Sequence, residues 1–241
     1  MKTRSLLIGV GIAIAVYIFL PFNSFNIIGT KGSGNIIKET RTVSSFHGID
    51  AGSAFEIIVK KGDVQSLEIE TDDNIMPQIK SKVKEGILEL STKGTINNAS
   101  SFNVYITIPH MDEIDISGAA KLTSNDRFDE TEMEIDASGA AKLEFKIKTN
   151  HLDLDASGAS KVIIQGFANS SEIEVSGASK LKAYELELNS TDIDCSGASH
   201  AYINVKESIK GEASGASNIT YMGNPKIVSI ETSGAGSVSR K

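Results

Sequence analysis

EIDASGAAKL, residues 134–143, is the stretch from which the fold can be read. Glu134 and Asp136 alternate with Ile135 and Ala137, the period of a strand with one buried face, then Ser138-Gly139-Ala140 interrupts, and Leu143, Phe145 and Ile147 resume the alternation. Near-copies stand at 113–122 (EIDISGAAKL), 153–162 (DLDASGASKV), 172–181 (EIEVSGASKL), 192–201 (DIDCSGASHA), 210–219 (KGEASGASNI) and 229–238 (SIETSGAGSV). The triplet therefore occurs seven times, at separations of 21, 19, 19, 20, 18 and 19 residues. Each unit reads as strand, corner, strand, with the Gly supplying the backbone freedom of a tight bend.

A solenoid and an antiparallel meander could both use such a unit, and the columns favour the solenoid. Parallel coils stack equivalent positions about 4.8 Å apart, so whole columns are constrained together. The position before each Ser holds Ile116, Ala137, Ala156, Val175, Cys195, Ala213 and Thr232, all small or β-branched. No Pro interrupts the chain between Pro109 and Pro225, as an unbroken ladder requires. Stepping by six from Ile135 meets Ala141, Ile147 and then Asp153, so the left-handed hexapeptide pattern fails. No G-G-x-G-x-D calcium repeat occurs either. The expected fold is all-β, a right-handed parallel β-helix of roughly 19-residue coils over 111–241. Residues 35–110 carry strands without the triplet and read as an atypical cap with the first coils. Within them NIMPQIKSKVK, residues 74–84, places Ile75, Ile79 and Val83 at a four-residue step and reads as a short helix weakened by Pro77.

Ahead of this lies an export signal. Lys2 and Arg4 precede an uncharged run, Leu6 to Leu20, and Pro21 follows it. Residues 1–25 read as a signal sequence or an uncleaved signal-anchor helix, the anchor being favoured because Phe22 stands where a cleavage site wants a small side chain. The flanking charges orient the rest outside the cytoplasm, in the periplasm or at the cell surface. Residues 26–34, rich in Gly, Asn and Ser, read as a tether. The whole chain of 241 residues has a net charge of -7, and without the first 25 residues, which hold two cations and no acid, it is -9. An acidic chain with no basic patch is no nucleic-acid binder. One Cys and no paired Cys/His spacing exclude disulfide scaffolds and zinc modules. Aromatics at 6% with no Trp argue against a stacking platform for sugars or bases.

Gly34-Asn35, the run Val43-Ser44-Ser45-Phe46-His47-Gly48-Ile49-Asp50, Phe55-x-Ile57-x-Val59, Gly86-x-Leu88 and the Ser-Gly-Ala array together resemble the head GIN domain family over residues 32–238. Its members, mostly from Bacteroidetes, bear the label "putative auto-transporter adhesin". The resemblance implies an exported right-handed β-helix and brings no catalytic residues with it. The lipobox Cys of many members is absent, which leaves the hydrophobic helix as the anchor.

The most organised chemistry is acidic. Two residues before each Ser stand Asp115, Asp136, Asp155, Glu174, Asp194, Glu212 and Glu231, and four before stand Glu113, Glu134, Asp153, Glu172 and Asp192. Such a face keeps a solenoid soluble, or binds cations weakly, because a flat ladder cannot enclose the six to eight oxygens of a tight calcium site. Four residues after Ser runs a lysine column, Lys121, Lys142, Lys161 and Lys180, ending in His200, Asn218 and Ser237. Acid–base catalysis needs carboxyls in unlike environments, whereas these repeat one environment. His47, His110, His151 and His200 are scattered, and Cys195 fills a small inward slot. The sequence thus points to a non-catalytic, membrane-tethered surface-binding module, an adhesin, with no cofactor. The alternatives are an oligomerising envelope scaffold and, behind it, a polysaccharide-active enzyme. The partner is an unspecified surface or envelope component, with a homo-oligomer as a further possibility.

Overall fold

The computed structural model describes residues 29–241. The hydrophobic run and the start of the expected tether lie outside the described residues. Those described are all β, apart from one 3-10 turn at Met76–Gln78. Glu113–Ile116, Lys121–Ala137, Lys142–Ala156, Lys161–Val175, Lys180–Cys195 and His200–Ala213 lie side by side in chain order, each parallel to the next, and Asn218–Gly223 and Ile227–Thr232 both lie parallel on His200–Ala213. The result is a β-solenoid of about seven turns with coils of about 19 residues.

Register follows the columns. Ile135 stacks on Ile114 and under Leu154, and Leu143 lies between Leu122 and Val162, all buried. Phe128 and Phe145 stack inside at 5.1 Å. At six of the seven Ser-Gly-Ala corners a serine carbonyl closes a turn, as from the Ala141 amide to Ser138 (3.2 Å), while the following coil hooks onto the one before, the Ala159 amide donating to the Gly139 carbonyl at 2.6 Å. Gly158 has φ +73°, and a Cβ there would stand 2.7 Å from the Gly139 carbonyl oxygen, so both the handedness of the bend and the approach of coils demand glycine. Behind the corner Ser160 and Ser179 bond to each other at 3.2 Å, and the Ser199 and Ser217 hydroxyls donate to the carbonyls of Val175 and Cys195, which keeps these interior hydroxyls satisfied.

The first coil hides in the atypical half. Gly48–Ala51 lies between Glu113–Ile116 and Ile87–Thr92, and Glu56–Lys61 lies between Lys121–Thr123 and Phe102–Ile108. Their corner, Gly52-Ser53-Ala54, scrambles the triplet: Ser53 takes the left-handed conformation (φ 64°), and the Ala119 amide donates to its carbonyl at 2.7 Å. Beyond it the sheet changes character. Ser66–Asp72 runs antiparallel to both Phe102–Ile108 and Ile36–Thr40, and Ile79–Lys84 runs antiparallel to Ile87–Thr92.

Two expectations are corrected here. Residues 74–84 form no α-helix: Met76–Gln78 makes a 3-10 turn with Pro77 at its start, and Ile79–Lys84 is a strand. The four-residue step from Ile79 to Val83 is two periods of a strand, with Lys80, Lys82 and Lys84 outward. Residues 29–34 are also not a loose tether. Thr30–Lys31 pairs with Ile96–Asn98, and buried Asp72 accepts from the Gly34 amide at 2.7 Å and from the Ser100 amide and hydroxyl at 2.7 and 2.9 Å. Burial alone would raise the Asp72 carboxyl; these hydrogen bonds outweigh it and hold it below its ordinary value.

Candidate functional site

Parallel register turns the acidic repeat into a physical ladder. Asp115, Asp136, Asp155, Glu174, Asp194, Glu212 and Glu231 occupy successive strands at one position, so every candidate lies on a single line. The structure extends that line by two residues not recognised in the sequence, since Asp115 pairs with Asp50 and Asp50 with Glu89. Nine carboxylates therefore run in unbroken register, over roughly 38 Å at ~4.8 Å per strand. The signal for Asp50 was present in Gly48-Ile49-Asp50-Ala51, a worn copy of the repeat that ends in Gly-Ser-Ala instead of Ser-Gly-Ala. The second column, Glu113, Glu134, Asp153, Glu172 and Asp192, is shorter: it begins beside Gly48 and stops at Lys210.

Crowding shows in the proton affinities. Asp136 is pushed up to about 6, by burial first and then by Asp115 and Asp155 on either side and Glu134 and Asp153 beside it. Asp50, Asp115 and Asp155 are also raised, by burial and then by Glu89, Asp50 and Asp153 respectively. Burial likewise raises Glu113, with Glu134 adding to it and His47 opposing. In water one such neighbour costs roughly 0.9 kcal/mol at ~4.8 Å before salt screening.

Glu113, Glu134 and Asp153 of the second column line a groove that also receives His47 and His151. His47 Nδ1 lies 2.6 Å from Asp112 and His151 Nδ1 lies 2.9 Å from Ser170 Oγ. His110 pairs with Glu130 at 3.3 Å, and His200 stacks on Lys180 in the lysine column. Among the described residues no three of His, Cys, Asp and Glu converge as a chelating set. Cys195 is buried in the inward column between Val175 and Ala213, and burial pushes its thiol up to about 12. The lysine column turns away beyond the corner. Its first member, Lys121, sits 2.7 Å from Glu56.

Residues 45–225 match the family described as "Putative auto-transporter adhesin, head GIN domain". The chain belongs to the head GIN domain family. Solved structures share its fold. A "putative adhesin" from Bacteroides fragilis is 24% identical with a TM-score of 0.83, covering 88% of this chain and 100% of its own. A "putative adhesin" from Parabacteroides merdae is 19% identical, with a TM-score of 0.69 and coverage of 88% and 99%. A "putative lipid binding protein" from Parabacteroides distasonis is 15% identical, with a TM-score of 0.73 and the same coverage. No curated protein matches. The family and these neighbours are described as adhesins or, in one case, a lipid binding protein, and not as enzymes. Among the described residues of this head GIN domain no helix is long and apolar enough to cross a membrane.

Proposed function

We propose that this head GIN protein is an exported, non-catalytic binding module that presents a rigid acidic ladder to cationic partners or loosely held divalent cations. The observation that carries the reading is the nine-residue carboxylate register on one sheet. Asp136 stands apart in proton affinity, but its neighbours on the ladder, Asp115 and Asp155, are carboxylates of the same kind on an open face, which suits the ladder to binding rather than turnover. The uncharged run Leu6 to Leu20 is the proposed membrane anchor, with the solenoid outside the cytoplasm. Its coils are taken as right-handed, the hand of nearly all parallel crossovers. Melting of the full chain with added calcium tests the ladder. Millimolar calcium is expected to raise the midpoint, and a triple replacement of Asp115, Asp136 and Asp155 by Asn to cancel most of the rise. An unmoved midpoint would refute cation binding.

A second reading, an envelope scaffold that self-associates, draws on the last coil. There Ile227 and Val228 are 53% and 47% exposed, on a strand that pairs with His200–Ala213 and, among the described residues, with no other strand. Sedimentation of the full chain separates the two readings. A monomer across concentrations favours the binding module, and assembly that Val228→Lys abolishes favours the scaffold.

A further inference from the structure

The repeat departs most from itself on the face away from the acidic ladder. In Lys180–Cys195, Ala183 pairs with Ile203 but the next pairing is Glu187 with Asn204, so Tyr184, Glu185 and Leu186 are passed over. On the other side Ile163 pairs with Lys182 and Gly166 with Leu186, leaving three residues opposite two. Such a bulge re-aims side chains. Leu186 stays buried while Tyr184 comes out beside Tyr202, the rings 5.5 Å apart and nearly perpendicular at 71°. Between them and Ile163 lies an open cleft of about 510 Å³, within the size range of small-molecule sites. Lys180 Nζ lies 5.2 Å from the Tyr202 ring centre and Lys241 Nζ 4.4 Å from that of Tyr184. Lys182 lines the cleft too, and among the described residues neither it nor Lys180 has a carboxylate within ion-pair distance, in contrast to Lys121 on Glu56.

We infer that this cleft binds an acidic saccharide, a sugar ring bearing a carboxylate. The angled phenol rings offer an apolar wall for the ring's C–H face together with hydroxyls for its own hydroxyls, and the unpaired ammonium groups recruit the carboxylate. Three lysines against one lining carboxylate, Glu185, leave the cleft positive on a chain of net charge -7 and select for an anion locally, where the protein as a whole would repel it. The cleft is too open to enclose an acyl chain. Neighbouring coils lack the pair of rings, since Thr123 and Glu144 on one side and Thr220 on the other hold the column of Tyr202, which carries a tyrosine again at Tyr105, beyond Ile58. The two tyrosines, 18 residues apart in the sequence, are what the low aromatic content concealed.

The test is calorimetric titration of the purified full chain with digalacturonate and with its neutral counterpart, galactobiose. Digalacturonate is expected to saturate with a Kd of about 1 mM, and galactobiose to bind about tenfold more weakly. Tyr184→Ala and Lys180→Met should each weaken digalacturonate roughly fivefold, on the scale of one aromatic or charge-assisted contact, with unchanged melting midpoints showing that both variants fold. Tyr184→Phe should retain most of the binding. Equal affinity for the two sugars, unaltered binding in both variants, or no saturation by digalacturonate would overturn the inference. So would Lys180-dependent capture of phosphatidylglycerol vesicles without sugar binding, which would make the cleft a membrane contact.

Discussion

Replacing Asp136 by Asn isolates the electrostatic cost of the ladder at its most crowded position. Burial and the flanking carboxylates of Asp115 and Asp155 lift Asp136 from its ordinary 3.8 to about 6. At ~1.36 kcal/mol per pH unit such a rise corresponds to roughly 3 kcal/mol, and because the side chain is partly open to water, screening reduces this to about 1 kcal/mol. A raised carboxyl means that the folded state holds the proton more tightly than the unfolded chain. Its stabilisation is therefore fully present below about pH 4 and is lost as pH rises through about 6. Above that, ionised Asp136 opposes folding, and Asn removes the charge while keeping the shape. In thermal melts followed by circular dichroism, D136N is expected about 2–4 °C above the parent at about pH 8 and level with it at about pH 4. Molar salt should shrink the gap at the higher pH, since the Debye length falls to ~3 Å. A gap of equal size at both pH values, or a variant less stable at about pH 8, would refute the reasoning.

Other outcomes follow from the packing. Gly158→Ala places a methyl 2.7 Å from the Gly139 carbonyl oxygen at a φ of +73°; the left-handed conformation alone costs about 1–2 kcal/mol, so a midpoint at least ~3 °C lower is expected, and an unchanged one would show that the corner can relax. Cys195, buried and with its thiol pushed up to about 12, should resist a thiol reagent at about pH 8 until denaturant is added; rapid labelling of the folded chain would contradict its placement. Asp72→Ala should release residues 29–34, read as faster hydrogen exchange at the Gly34 and Ser100 amides, and because the Asp72 carboxyl is held low, the parent should lose this protection only as pH falls below the ordinary carboxylate range. Protection that survives the substitution would mean that the pairing of Thr30–Lys31 with Ile96–Asn98 suffices.

The coils from Glu113 onward were legible because a parallel stack maps sequence period directly onto space: every flank of EIDASGAAKL became a column at the position its spacing implied. The first coil was obscured for two reasons. Its corner swaps Ser and Gly, and between Lys61 and Glu113 the chain builds the antiparallel strands Ser66–Asp72 and Ile79–Lys84 and lays Ile87–Thr92 and Phe102–Ile108 parallel beneath the first coil, so Asp50 and Asp115 pair across 65 residues and no period connects them. Residues 79–84 were misread because a four-residue apolar step satisfies both helix and strand, and only the alternation of Lys80, Lys82 and Lys84 with Ile79 and Val83 separates the two. The tyrosine cleft was hidden for a third reason. The bulge in Lys180–Cys195 changes the triplet spacing only from 19 to 20, and what matters is the direction in which Tyr184 is turned.

Stacking copies in register has a cost that explains which face remains reactive. Like must lie on like, so both the lysine and the acidic columns accumulate charge of one sign. The lysine column is relieved at both ends, by Glu56 beneath Lys121 and by His200 and Asn218 above Lys180. The outer acidic column is relieved by Gly48 at one end and Lys210 at the other. The line through Asp136 meets a cation where Lys82 lies opposite Glu89, and from there to the last coil it stays acidic: the capping strands add Glu89 and Asp50, and the last coils add Glu212 and Glu231. Solubility alone would be served by any mixture of charges. A column that stays acidic from the capping strands to the last coil concentrates negative potential along one edge, and the proposed recruitment of a cationic partner rests on that potential rather than on the partner's detailed shape.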